Sequence, residues 1–238
     1  MDQNALKAEV GRVAAARVED GMVLGLGSGS TSEAFLKSLG GRVADGLTVR
    51  GVPTSERTAS LCRELGIELT DLERDPALDL AIDGADEIDP DFNLIKGGGG
   101  ALLREKIVAA AADRMLVIAD ASKQVEHLGA FRLPVEITPF GAASTIRAVE
   151  SICSQPGLNG DLRVPPNLAT QDADRAPFVT DGGHWIIDCP PGAIDDPKAL
   201  DEALRAVPGV METGLFIALA DQALIAGKDA VEALELER

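Results

Sequence analysis

Apolar residues along the first 130 positions alternate between two periodicities. In "NALKAEVGRVAAARVEDG", Leu6, Val10, Val13 and Ala14 recur at helical spacing, which predicts an amphipathic helix running toward a C-cap at Gly21. "MVLGLGSGSTSEAFLKSLGG" then passes from an apolar strand through glycines into a helix that Gly40 and Gly41 should stop. "GLTVRGVPTS" reads as a strand ending in a hydroxyl-rich turn, with "ERTASLCRELG" as the helix behind it. Leu78, Leu80 and Ile82 alternate in "LDLAID", "ALLREKIVAAAADR" is helical, and "MLVIAD" is apolar at almost every position. Strands apolar on both faces, separated by helices, predict a mostly parallel sheet covered on both sides.

The rhythm changes near residue 131. "LPVEIT" reads as a strand, "FGAASTIRAVESIC" as a helix, and "PFVTDGGHWIIDC" as a hairpin around Asp181-Gly182-Gly183. "DPKALDEALRAVPG" follows as a helix and "VMETGLFIAL" as a strand. That βαββαβ order matches a ferredoxin-like α+β unit. "GLNGDLRVPPNLATQDADRA" is ambiguous between an extra strand and an exposed loop, and "ADQALIAGKDAVEALELER" is expected to rejoin the first unit. The expected fold is thus α/β, a Rossmann-like sheet formed by residues 1–130 with 215–238, carrying a ferredoxin-like domain at 131–214.

Composition narrows the partners. With 45% hydrophobic residues the 238-residue chain can build a core, while six Phe, one Trp and no Tyr leave little for stacking bases. A formal charge of −17 repels nucleic acid and anionic membrane, so an anionic ligand must be held by a few local donors. Cys62, Cys153 and Cys189 are odd in number and widely spaced, which fits a reduced compartment. With no apolar signal core or membrane-length apolar run, the expectation is a cytoplasmic protein.

Three blocks carry chemistry. In "GLGSGSTS", Gly25 and Gly27 fit a dinucleotide fingerprint, but its third glycine falls on Ser30 and no acidic residue ends the next strand; no Walker lysine follows either. What remains is Ser28, Gly29, Ser30 and Thr31 at a helix N-terminus, an anion site. The competing reading is an ordinary cap, because Ser30 and Glu33 have capping-box spacing, and that glutamate would repel a phosphate. "AIDGADEIDPDFN" clusters Asp83, Asp86, Glu87, Asp89 and Asp91 beyond a strand. Its spacing does not fit a calcium loop; it can be a divalent-metal site, an acid–base pair at Asp83 and Asp86 around the small turn Gly84-Ala85, or a solvated acidic loop. In "IKGGGGALLREKIV", Lys96 and Gly97, Gly98 and Gly99 lead through Gly100 into a helix holding Glu105 about one turn in. Consecutive glycines cost backbone entropy and let main-chain amides approach a ligand. A stripe of Leu103, Ile107 and Ala110 leaves Glu105 on that helix's flank, near the crevice, where burial would raise its pKa toward a useful base. Lys123, after the strand "MLVIAD", is a further local cation.

Together, "GLGSGSTS", "DGADEID", "KGGGGALLREKIV", "IADASKQV", "LPVEI", "FVTDGG" and "PGVMETGLF" resemble, in order and spacing, the type A ribose-5-phosphate isomerases. The resemblance implies an aldose–ketose isomerase acting on ribose 5-phosphate and ribulose 5-phosphate without metal or organic cofactor, as a homodimer or homotetramer. It implies Glu105 as general base, Asp83 and Asp86 as active-site aspartates, and Lys96 with Gly97–Gly99 lining the sugar. Ser28, Gly29, Ser30 and Thr31 would face the phosphate, with Lys123 as another substrate contact. "TDGGH" departs from the usual TDNGN. Rival readings are another sugar-phosphate enzyme such as a deaminase or lactonase, a non-catalytic sugar-phosphate sensor, and a magnesium phosphohydrolase built on the acidic turn. His127 and His184 lie outside the three blocks, which weighs against a deaminase.

Overall fold

Short apolar strands with no polar face must be covered on both sides, and the arrangement of helices follows from that. The computed structural model describes residues 2–153, 161–163 and 176–236. Helix α1 (Gln3–Ala15) leads to β1 (Val23–Leu26), α2 (Ser30–Ala44), β2 (Arg50–Pro53), α3 (Glu56–Glu64), β3 (Glu68–Leu69) and β4 (Leu80–Gly84). Then come β5 (Glu87–Ile88), β6 (Leu94–Ile95), α4 (Leu102–Ala110), β7 (Met115–Asp120) and a 3-10 turn, Ala121–Lys123. A second run comprises β8 (Leu133–Ile137), α5 (Ala142–Cys153), β9 (Asp161–Leu162), β10 (Trp185–Cys189), α6 (Pro197–Arg205) and β11 (Val210–Thr213). Strands β12 (Leu215–Phe216), β13 (Gln222–Ala226) and β14 (Val231–Glu235) follow.

Seven strands form one sheet in the order β14-β13-β7-β4-β1-β2-β3, parallel except for the β13–β14 hairpin. Alternate residues of β7 feed opposite cores. Leu116 and Ile118 pack with Val10, Phe35 and Leu39 of α1 and α2, while Val117 and Ala119 pack with Ala109 and Phe216. Because β1, β4 and β7 are adjacent and parallel, the Gly27–Ser30 loop, the Asp83–Asp86 turn and the turn ending at Lys123 emerge side by side at the sheet's carboxyl edge. That is where ligands sit in such sheets. Strands β11-β8-β10-β9 form an antiparallel sheet with α5 and α6, giving the βαββαβ order of a ferredoxin-like unit. A third sheet, β12-β6-β5, lies next to the glycine loop, and Lys96 N donates to Gly214 O at 2.8 Å. Among the described residues no helix is long and apolar enough to cross a membrane.

Several sequence expectations need correction. Helix α1 ends at Ala15 and is capped by Ala16; Gly21 instead turns the chain into β1 at φ +84°. Gly40 and Gly41 do not stop α2, which continues to Ala44. Gly40 is needed for helix contact, because a Cβ there would stand 2.9 Å from Leu65 Cβ. The turn at Asp181-Gly182-Gly183 forms, with Gly183 N donating to Thr180 O and Thr180 N to His184 O, both at 2.9 Å. Only its second arm is a strand, however, and β10 pairs with β9, which arises from the stretch left ambiguous. Residues 157–160 and 164–175 of that stretch lie outside the described residues. The "TDGGH" departure is accommodated by buried Glu136, whose Oε1 accepts from the Thr180 hydroxyl and meets His184 Nδ1, both at 2.9 Å. "VMETGLFIAL" breaks at Gly214 into β11 and β12, where a Cβ would press within 2.4 Å of Lys96 O.

Two helix glycines should respond oppositely to alanine. A Cβ at Gly11 would meet Phe35 N at 2.6 Å and Ala34 C at 2.7 Å, both backbone atoms of α2 that cannot rotate away. Gly41 is exposed, within α2, and its Cβ would meet nothing within 4 Å. Gly41→Ala is expected to stabilise by about 0.5–1 kcal/mol through helix propensity. Gly11→Ala is expected to lose about 1–3 kcal/mol to overpacking, lowering Tm by several degrees in a chain this size. Thermal unfolding of the two variants checks both signs.

Candidate active site

The candidates from the three sequence blocks converge. Ser28, Gly29, Ser30, Thr31, Gly84, Ala85, Asp86, Lys96, Gly97, Gly98, Gly99, Glu105 and Lys123 line one cleft of about 310 Å³ at the carboxyl edge of the large sheet. Asp83 lies beneath it, 4% exposed. Another cavity of about 250 Å³ lies beside Cys153 and Cys189, and among the described residues no lysine or arginine lines it.

The floor of the cleft is a buried ionic cluster. Lys96 Nζ donates to Gly84 O at 2.6 Å and stands 3.0 Å from Asp83 Oδ2 and 3.3 Å from Glu105 Oε2. Burial works to strip the Lys96 proton, but Asp83 and Glu105 outweigh it and hold the ammonium above its ordinary pKa. The two carboxylates are not equivalent. Asp83 Oδ1 also accepts from Gly84 N at 2.7 Å, Ser32 Oγ at 3.0 Å and Ser28 N at 3.1 Å. Glu105 Oε2 is buried, and among the described residues its partner is Lys96, met as an ion pair outside hydrogen-bond geometry. Burial first, opposed by Lys96 and reinforced by Asp83, pushes Glu105 up to about 8. A carboxyl with that value at the cleft is suited to take and return a proton near neutral pH.

The helix around Glu105 faces inward differently from the sequence pattern. The buried side of α4 is Leu102, Glu105, Val108 and Ala109, whereas Ile107 is 48% exposed. Glu105 therefore sits in the middle of the buried face, not on its flank. The neighbouring charges Arg104 and Lys106 point elsewhere, to Glu56 at 3.0 Å and Glu212 at 2.7 Å.

The glycine loop is held from several directions. Gly97 and Gly100 have φ of +106° and +82°, and a Cβ at Gly100 would overlap the Phe178 ring at 2.5 Å. Gly98 N donates to Asp86 Oδ2 at 2.8 Å, and a Cβ at Gly98 would crowd that same carboxylate. Gly99 faces the cleft, and a Cβ there would meet no atom of the described residues within 4 Å. From behind, Arg163 Nη1 donates to Gly97 O at 2.7 Å.

At the other end of the cleft, α2 presents its N-terminus. Gly29 is the cap residue at φ +90°, with no side-chain cap, so the capping box at Ser30 and Glu33 does not form. Ser30 lies inside the helix, and Glu33 is drawn to Arg57 at 2.6 Å, which removes the objection that it would repel an anion. The first-turn N–H groups, the Ser30 and Thr31 hydroxyls and Lys123 surround this end. Ser28 contributes differently: its hydroxyl lies 2.7 Å from that of Thr54, 2.8 Å from Ser55 and 3.1 Å from Thr58, tying the loop to α3.

Sequence reasoning missed Gln3 and Lys7, which line the cleft from α1; Lys7 Nζ donates to Ser30 Oγ at 3.0 Å. No local pattern distinguishes that lysine from a solvated one. The Thr54-Ser55 pair was visible as a hydroxyl-rich turn, without a partner to give it meaning. The acidic turn does not assemble a metal site. Asp83 faces Lys96, Asp86 meets Gly98 N, Glu87 Oε2 accepts from Gly129 N at 2.6 Å, and Asp89 Oδ1 accepts from Asn93 N at 2.8 Å. Among the described residues no three His, Cys, Asp or Glu side chains are grouped to hold a metal ion.

Comparison with known proteins agrees with this geometry. The family profile described as ribose 5-phosphate isomerase A (phosphoriboisomerase A) matches residues 50–230. A ribose-5-phosphate isomerase A from Brucella suis biovar 1 (strain 1330) is 56% identical over 217 residues, covering 91% of each chain. The solved ribose 5-phosphate isomerase A of Methanocaldococcus jannaschii aligns with a TM-score of 0.87 at 38% identity, over 97% of this chain and 98% of that one. A D-ribose-5-phosphate isomerase solved in complex with phospho-erythronic acid aligns with a TM-score of 0.91 at 35% identity, over 99% of this chain and 100% of the other. With a carboxylate-floored cleft ending at a lysine-flanked helix N-terminus, and with these matches across nearly its whole length, the chain belongs to the ribose 5-phosphate isomerase A family.

Proposed function

We propose that the protein interconverts D-ribose 5-phosphate and D-ribulose 5-phosphate through an enediolate, with Glu105 carrying the proton between C2 and C1. The observation that carries this reading is the Glu105 carboxyl, buried at the floor of the cleft with Oε2 held by an ion pair to Lys96 and no geometric hydrogen bond, while the far end of that cleft gathers donors for an anion. The phosphate sits on the α2 N-terminus, with Lys7 and Lys123 beside it. Asp86, oriented by Gly98 N–H, serves the proton movements of ring opening. Glu105 then takes the C2 proton, and the electron pair forms the C1–C2 double bond as the carbonyl electrons move to O1. A second proton passes from O2 to O1, Glu105 returns its proton to C1, and O2 becomes the carbonyl.

A positioned base supplies about 10²–10⁴-fold, so the developing oxyanion must be stabilised as well. The glycine-loop amides are the donors for this. Lys96 and Asp83 act from below, because all three Lys96 contacts are already made within the floor. The ligand of the similar solved enzyme supports the reading: the carboxylate of phospho-erythronic acid is planar and shares one negative charge over two oxygens, as an enediolate does. Every step uses the chain's own side chains and amides. The chemistry suits a non-oxidative pentose phosphate interconversion in the cytoplasm.

Incubating the purified, chelator-treated protein with ribose 5-phosphate in deuterated water should give deuterium-labelled ribulose 5-phosphate; unlabelled substrate with no ketose would exclude the isomerase. Glu105→Gln, which keeps size and polarity but cannot take the proton, should lower kcat by about 10²–10⁴-fold.

The pH dependence follows from the raised Glu105 pKa. In the free enzyme kcat/KM should climb about tenfold per unit up to about pH 8, since only the ionised base acts. Lys96→Met removes the charge that lowers the Glu105 pKa, so its acid limb should move to higher pH; a limb at an ordinary glutamate value in wild type would contradict the assignment. Stability has the opposite slope. Folded Glu105 binds its proton more tightly than at its ordinary 4.5, so between 4.5 and about 8 the folded state holds more protons and stability falls as pH rises. Thermal unfolding should show Glu105→Gln gaining on wild type from pH 5 to pH 8.

A further inference from the structure

We propose that Arg163, supplied by the second sheet, is a positioning residue for the reaction: it sets the two peptide planes that orient Asp86 and the Gly99 N–H toward the sugar. This rests on the isomerase reading above. Arg163 lies behind the glycine loop, outside the lining of the cleft. Its Nη1 donates to Gly97 O at 2.7 Å and to Gly98 O at 3.3 Å. In a trans peptide the carbonyl and the following N–H point in opposite directions. Drawing the Gly97 carbonyl back therefore sends Gly98 N–H forward, where it meets Asp86 Oδ2 at 2.8 Å. Drawing the Gly98 carbonyl back likewise turns Gly99 N–H away from the guanidinium, and Gly99 is the glycine open to the cleft.

The guanidinium is itself fixed. Nε donates to Asp188 Oδ2 at 2.8 Å and Nη2 pairs with Asp188 Oδ1, a two-pronged arrangement that lysine cannot reproduce. The Arg163 backbone is held on both sides, its N donating to Ile186 O at 2.9 Å and its O accepting from Phe178 N at 2.8 Å. The Phe178 ring in turn lies against Gly100. The second sheet thus grips Gly97, Gly98 and Gly100 and leaves Gly99 to the ligand.

The test compares wild type with Arg163→Met, Arg163→Lys and Asp188→Asn in ribose 5-phosphate isomerisation and in inhibition by phospho-erythronic acid and by inorganic phosphate. Displacing a reacting group by about 1 Å can cost on the order of 100-fold, so Arg163→Met should lower kcat about 10- to 100-fold. It should weaken phospho-erythronic acid by a similar factor, yet leave inorganic phosphate within about twofold, because the α2 end is untouched. Arg163→Lys should recover part of kcat. If Arg163→Met does not fold, Asp188→Asn, which keeps the guanidinium but loosens it, should show the same split with a loss of about tenfold. Wild-type kcat and analogue binding in Arg163→Met overturn the inference, as does an equal loss of phosphate inhibition, which would mark general disordering of the cleft. A wild-type protein that does not isomerise would instead overturn the functional reading, and the inference with it.

Discussion

One ammonium group faces two buried carboxylates, and the site is organised around that shortage. Lys96, Asp83 and Glu105 are 3%, 4% and 5% exposed, so none is neutralised by bulk water. A buried charge is tolerated only when paired and hydrogen-bonded, and removing one member of such a pair typically costs about 3–5 kcal/mol. The cluster ties the end of β4 to the loop after β6 and to the first turns of α4. Fold and chemistry therefore depend on the same contacts. The ammonium cannot satisfy both acids equally. Asp83, with three further donors, is the better solvated by the protein, and Glu105 is left short. Burial and that deficit together raise the pKa of an otherwise ordinary glutamate to about 8, the value on which the proposed base role rests.

Close backbone approach is the second constraint, and it explains why glycine is spent where it is. A Cβ on Gly27 would lie 2.1 Å from Asp83 Oδ1, so only glycine lets the loop after β1 pass over that carboxylate. Gly97 and Gly100 adopt left-handed φ that side chains rarely take, and Gly98 presses on Asp86. Such a run would be floppy if left alone. Asp86, Arg163 and Phe178 restrain it from different sides, so the chain itself fixes the direction of its amides. Donors that need no reorganisation during the reaction are worth most to a transition state.

Much of the fold was legible because the signals are local. The apolar runs around Leu24, Ile82 and Ile118 lie within strands with helices between them, and parallel pairing of β1, β4 and β7 brings the motif-bearing loops together. What could not be read depends on contacts distant in sequence. Gly40 looks like a helix stop unless Leu65 is known to pack on it. Ser30 and Glu33 look like a capping box until Gly29 takes the cap and Arg57 takes the glutamate. The α4 stripe was misread because Glu105 occupies a position on the buried face that an apolar residue would normally hold, and only Lys96 makes that tolerable. Cys153 and Cys189, widely spaced in sequence, have Sγ atoms 3.0 Å apart. Arg163 sits in a stretch with no clear periodicity, and its meaning comes from carbonyls more than 60 residues away.

The overall charge of −17 opposes a phosphorylated substrate, but the cleft divides that field along its length. At one end are Lys7, Lys123 and the positive end of the α2 dipole, with Asp120 engaged by Ser122 N at 3.0 Å. At the other end the one lysine is already committed to two acids. On the proposed reading a dianionic phosphate meets favourable potential at the α2 end, while the other end offers it Glu105 and Asp86. In the proposed reaction this polarity orients the sugar, phosphate toward the helix and carbonyl toward Glu105. Because the surrounding surface repels anions, the cleft is also the place where an anionic substrate finds concentrated positive potential. An acidic protein can thus bind an acidic substrate in one direction, through the placement of three lysines.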